Sequence, residues 1–334
     1  MGAQQIRYEA GQTQYGWTAL TDSGDATTFK GAVAPWSDVG RDYVLSDVRA
    51  YGLATGGAVT GTGSNDQVAV AALTAYMPGA TGADLTTGLL AVAANAALSV
   101  GTRPTGSNKC IVSITVNSSG ALAVVKGTDG ASIVATRGAA GGPPLIPAAS
   151  IEIGQVTLSG STAAPVVTAT DVSQIDGLSN ERFSYPPYTV DRLNGAVTFA
   201  EPLPLIHTGG VARKVYARPA VPIFAAVPDA YDWVPADESG SVTSTQTYDG
   251  ARGAASLSLN GASFSFISRD GISDPVLALK GESLWFEYKP DRTRSLPKQL
   301  TQGVLSIART NPASGNKVVT VSIAAERATA DVVA

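Results

Sequence analysis

The stretch Ala254-Ala255-Ser256-Leu257-Ser258-Leu259-Asn260-Gly261-Ala262-Ser263-Phe264-Ser265-Phe266-Ile267-Ser268 runs for fifteen residues without a charge. Leu257 and Leu259 alternate with Ser256 and Ser258, and Phe264 and Phe266 with Ser263 and Ser265. A period of two marks strands whose two faces meet different surroundings. Asn260-Gly261, between the two runs, is the strongest short hairpin signal there is. The spacing therefore predicts that Ala255–Leu259 and Ala262–Ser268 pair with each other.

The same period extends outward. Downstream, Leu284, Phe286 and Tyr288 alternate with Trp285 and Glu287, and Val304–Thr310 and Lys317–Ala325 form a further strand pair around the loop 311–316. One segment breaks the pattern. Ser273-Asp274-Pro275 reads as an N-cap followed by Pro at the first helical position, and Gly281 is a stop, which predicts at most two turns of helix over Asp274–Lys280. Upstream, Cys110–Lys126 reads as a hairpin turning at Ser118-Ser119-Gly120. Ile151 and Ile153 change phase with Val156 and Leu158, which predicts a bulge at Gly154-Gln155. Asp84–Leu98 admits a helix or short strands with Gly-rich turns, and strands are the preferred reading.

Composition narrows the function classes. The 334 residues include 36 glycines and 52 alanines, and only 15% are charged. With 23 Lys+Arg against 27 Asp+Glu the net charge is −4, unlike a basic nucleic-acid binder. One cysteine excludes a disulfide scaffold. The start lacks the pattern of a secretory signal, and Leu89–Val100 is too short to span a bilayer, so a soluble protein made in the cytosol, without membrane insertion, is expected. Residues 1–205 carry 10 basic and 15 acidic residues and residues 206–334 carry 13 and 12; with Pro202, Pro204, Gly209 and Gly210 at the join, a linker is expected there.

Groups able to do chemistry are scarce. His207 is the only histidine, and it reads as a solvated linker residue. Cys110 opens an apolar strand face and reads as buried and structural. A zinc site is excluded by the shortage of ligands, and Asp22, Asp25 and Asp129 lack the dense spacing of a calcium loop. Gly57, Gly61 and Gly63 precede no Gly-Lys-Ser/Thr and read as a turn. Carboxylate pairs for glycoside hydrolysis could come only from Asp229, Asp232, Asp237, Glu238 and Asp249, beside Tyr231, Trp233 and Tyr248. No catalysis and no cofactor are expected. Surface is what remains: uncharged ribbons that leave their edges unprotected need a partner, and a ring of copies would supply one.

Asn260–Phe264, Arg269-Asp270-Gly271, Ala278–Phe286, Tyr288–Arg292, Leu300–Leu305 and Val319–Glu326 together resemble the major tail tube proteins of tailed bacteriophages, over roughly residues 207–334. The resemblance implies a mainly β tube domain, a β-sandwich or barrel with one short helix. Its subunits form stacked hexameric rings that conduct the genome into the host. It also implies a candidate lumen hairpin carrying Ala255, Leu257, Leu259, Phe264 and Phe266, and a candidate inter-subunit loop with Lys289, Asp291, Arg292, Arg294 and Lys298. Partners would be further copies, the tape-measure, terminator and baseplate proteins of the tail, and DNA passing without tight binding; the location would be the virion tail. Residues 45–205, with Gly141–Gly154, look like segments of phage fibre and tail-decoration domains, so 45–205 is expected as an outer β-domain and 206–334 as the tube domain. Residues 1–44 would complete the tube fold, form an arm or join the outer domain. The alternative is a fibre or baseplate adhesin that stacks host-surface glycans on Tyr185, Tyr188, Tyr231 and Trp233.

Overall fold

The computed structural model describes residues 3–31, 34–37, 46–160, 166–174, 187–248, 250–310, 312 and 314–333. The protein is mainly β, with 52% strand, 3% helix and no helix of seven residues or more. It divides into two compact units. The first comprises Met1–Gln14, Trp36–Leu45 and Ala220–Ala334, the second Tyr15–Pro35 and Ser46–Pro219.

This division differs from the one expected at residues 44 and 205. Gln5–Gln14 lies between Ala220–Ala226 and Ser283–Lys289 in the sheet of the first unit. Trp36 and Ser37 belong there too. The Trp285 indole N–H donates to the Trp36 carbonyl at 2.9 Å, and the buried Glu9 carboxylate accepts from Ser37 Oγ at 2.5 Å and from the Trp285 N–H at 3.0 Å. The 202–210 region is no loose linker: Leu203 N–H donates to Ala26 O, and Ile146 and His207 form a parallel bridge in the second unit. Pairings across two hundred residues leave no trace in local composition, so the boundary at Pro219–Ala220 was invisible to it.

In the first unit one antiparallel sheet runs in the order Ala220–Ala226, Gln5–Gln14, Ser283–Lys289, Lys298–Thr310, Lys317–Ala325, Ala262–Ser268, Ala230–Val234, with Ala330–Val332 beside Lys298–Leu300. Its curved inner face buries Ile6, Tyr8, Phe264, Phe266, Phe286, Leu305, Val321 and Ile323. The expected helix contracts to a 3-10 turn, Pro275–Leu279, which packs Val276 and Leu277 onto that core. Ser268 Oγ engages the Asp274 carboxylate, so that carboxylate does not cap the turn and nothing extends it.

The Asn260-Gly261 hairpin does not form. Gly250–Leu259 pairs with Glu238–Thr247, whereas Ala262–Ser268 pairs with Lys317–Ile323. A tight Asn-Gly turn needs positive φ at both residues, and neither has it. Gly261 serves another need: a Cβ there would stand 2.5 Å from the Ile323 carbonyl oxygen. Core packing of Phe264 and Phe266 thus overrides the local turn signal.

The second unit holds a six-stranded, a four-stranded and two three-stranded sheets, and Val68, Met77, Ile114, Ile153 and Val156 lie in a core shared by the four-stranded and three-stranded ones. The Lys109–Asn117 and Leu122–Lys126 hairpin is present, its turn fixed by Asn117 Oδ1, which accepts from the Ser119 and Ala121 N–H groups. The bulge lies one residue before its expected place: Ile114 and Thr115 face Gly154 and Glu152, leaving Ile153 as the extra residue. Leu89–Val92 and Asn95–Ser99 are strands.

Candidate assembly interface

Glu238–Thr247 and Gly250–Leu259 form a two-stranded ribbon of ten matched pairs that is a sheet of its own. Its base is pinned. The Ala236 N–H donates to Thr329 Oγ1 at 2.7 Å, the Thr329 N–H returns a bond to Ala236 O at 2.8 Å, and the Asn260 N–H donates to Asp237 O at 2.9 Å. Beyond that base, alternation splits the ribbon into two chemically different faces. Ser239 and Ser258, and Ser241 and Ser256, link hydroxyl to hydroxyl at 2.9 and 2.8 Å. The other face pairs Glu238 with Leu259, Gly240 with Leu257 and Val242 with Ala255. There Val242 is 72% and Leu257 76% exposed, and Tyr248 at the tip is fully exposed.

An isolated two-stranded ribbon is marginal in water. This one contains no proline or lysine and only Glu238, Asp249 and Arg252 as charges, so its outer edges lack the usual protection. Covering a Val or Leu side chain fully contributes about 1.5–3 kcal/mol each. A surface that received Val242, Leu257 and Leu259 while pairing one edge would thus gain several kcal/mol.

The residues expected on one hairpin are thereby divided. Ala255, Leu257 and Leu259 stand on the ribbon, while Phe264 and Phe266 are 1% exposed and point into the core. The opposite, outer face of their sheet has the rows Val304–Ala324, Ser306–Ser322–Ser263 and Ala308–Thr320–Ser265, without a charge. Sequence reasoning passed over this face, although the small residues at alternate positions of Val304–Thr310 and Lys317–Ala325 signal it.

The expected inter-subunit loop is organised by two residues it did not include, Glu287 and Arg7. Glu287 is 2% exposed and meets Arg7 at 2.7 Å, Lys298 at 2.9 Å and Lys289 at 3.7 Å. Burial pushes the Glu287 carboxyl up, but the hydrogen bond and charge of Lys298, with help from Arg7 and Lys289, outweigh it and hold the group below its ordinary value. Asp291 accepts from the Thr293 N–H and lies 3.7 Å from Arg294 Nε. The Arg292 N–H donates to Ala3 O at 2.9 Å, while the Arg292 and Arg294 side chains remain exposed.

The groups weighed for chemistry are occupied elsewhere. Asp22 Oδ1 accepts from the Gly24 and Ala26 N–H groups, and Asp25 Oδ1 from those of Thr27 and Thr28, bonds that draw the Asp25 carboxyl down to about 2. Asp129 pairs with Lys126 at 2.9 Å. Among the described residues no group of three or more His, Cys, Asp or Glu could hold a metal. Cys110 is fully buried, and burial pushes its thiol up. His207, expected in solvent, is 1% exposed. Trp233 stacks on Tyr288 with centroids 5.8 Å apart and donates to Gln299 Oε1 at 2.8 Å, so it is no open platform. Tyr188 packs against Phe199, Tyr231 is 37% exposed, and Tyr185 and Asp249 lie outside the described residues. Asp229 and Asp232 adopt φ of 50° and 54° on either side of Tyr231, at an irregular edge strand.

No protein-family model matches the chain, and no curated protein matches it.

Proposed function

We propose that the protein is a structural subunit of a bacteriophage tail tube, one whose copies assemble into stacked hexameric rings that form the conduit for genome ejection. The observation that carries the reading is the ribbon Glu238–Leu259, with its unprotected edges and its exposed apolar face of Val242, Leu257 and Leu259. Neighbouring copies complete it by pairing at an edge and covering that face, as β-augmentation does elsewhere. The residue resemblance to tail tube proteins supplies the ring, the DNA, the companion tail proteins and the virion location.

No described helix is long and apolar enough to cross a membrane. The adhesin alternative draws less support, because Trp233 is committed to its stack on Tyr288.

Negative-stain images of concentrated protein test the proposal. Hollow rings or cylinders from the native chain, and their loss in Val242→Glu/Leu257→Glu, are expected. Thin spikes, or lone particles at every concentration, would overturn it.

A further inference from the structure

His207 is the only histidine of the chain and is buried at a junction of the second unit. The Ile146 N–H donates to Ile206 O at 3.0 Å and the Thr208 N–H to Ile146 O at 2.8 Å, so residues on both sides of His207 are stitched to Ile146. The ring adds a third link, with Nε2 3.0 Å from the Ser150 carbonyl oxygen. A carbonyl only accepts, so Nε2 carries the proton and Nδ1 presents a bare lone pair. Nδ1 is buried and has no partner within ordinary hydrogen-bond geometry among the described residues. Beside the ring lies a cavity of about 10 Å³, lined also by Tyr51, Ser150 and Arg213, which is room for about one water molecule.

We propose that His207 is a proton-operated latch of the second unit: as the neutral imidazole it fastens residues 146–150 to 206–208, and as the imidazolium it releases them. Protonation at Nδ1 would put a second cation beside a small cavity that Arg213, itself 3% exposed, already lines. The other groups acting on the ring do not offset this. Burial is the strongest influence and lowers the imidazole's proton affinity. The Ser150 and Val211 carbonyls pull it up, Arg137 pushes it down, and Glu152 pulls it up weakly. Glu152 is already engaged by Arg137 and Ser113. Because the native ring resists protonation, the opened state binds more protons. The latch is therefore fully closed above the ordinary histidine value near 6.5 and weakens as pH falls through the window below it.

With a single histidine, the imidazole Cε1–H resonance of the native full-length chain reports the titration directly. A midpoint below 6.5 is expected. Amide protection factors at 146–150 and 206–208, corrected for intrinsic exchange, should fall between pH 7.5 and 5, by up to about tenfold per unit of depression. His207→Gln retains an N–H donor without a titrating ring, and its protection should not change with pH. A midpoint at or above 6.5, pH-independent protection in the native chain, or an equal pH response in His207→Gln would overturn the latch. If His207→Gln does not fold, the native-chain resonance and protection still decide. Because the readout lies wholly in the second unit, a failure here is distinct from a failure of ring assembly.

Discussion

Glu287 gathers Arg7, Lys289 and Lys298 around one carboxylate that is 2% exposed. The three cations are themselves partly exposed, so removing the carboxylate leaves them able to reach water. Glu287→Gln should therefore destabilise the first unit by about 1–3 kcal/mol, less than a fully buried pair would. The sign of its pH dependence follows from its lowered value. Its contribution is present above the ordinary carboxylate range and is lost as pH falls through the native value. Urea midpoints for native and variant chains should differ at pH 7 and converge as pH falls below the ordinary carboxylate range; a constant gap would contradict this. Gly261→Ala drives a Cβ to 2.5 Å from the Ile323 carbonyl oxygen and should be destabilising by about 1–3 kcal/mol in the same assay.

At the scale of elements, two neighbouring strands of similar sequence have opposite fates. Ala262–Ser268 buries every second residue, so Phe264→Ala should cost about 3–5 kcal/mol in stability. Ala255–Leu259 is exposed throughout, and Leu257→Glu should change unfolding by no more than about 0.5 kcal/mol while abolishing assembly. Parallel urea melts and sedimentation of the two variants check the contrast; a strongly destabilised Leu257→Glu would mean that the ribbon is covered within its own chain. Strand identity was legible in the alternation itself, as at Leu257/Ser258, Val112/Ser113 and Phe286/Glu287. Strand partners were not. Asn260-Gly261 carries a turn signal that a contact with Ile323 overrides, and Gln5–Gln14 finds its neighbours more than two hundred residues away. The candidate site was half legible. The uncharged run pointed to Leu257 and Leu259, but their true partners, Glu238–Val242, lie across a turn that the Asp249-Gly250 dipeptide marks in the sequence, a signal outweighed in the reading by Asn260-Gly261.

For the whole molecule, the proposed conduit requires a surface that does not hold DNA, and a net charge of −4 with an outer sheet face of serine, threonine, alanine and valine is compatible with that proposal. Each phosphate neutralised by Lys or Arg would steepen the salt dependence of binding. Fluorescence anisotropy with a labelled duplex should accordingly show no salt-dependent affinity in the micromolar range, and tight binding at moderate salt would count against a passive conduit. The central claim is that the ribbon is completed by other copies of the chain. Amide hydrogen exchange across residues 238–259, compared between dilute and concentrated protein, measures that completion directly. The ribbon amides should exchange quickly in the dilute chain and become strongly protected on assembly, while the Phe264 strand is protected in both; equal, rapid exchange of the ribbon at every concentration would contradict it.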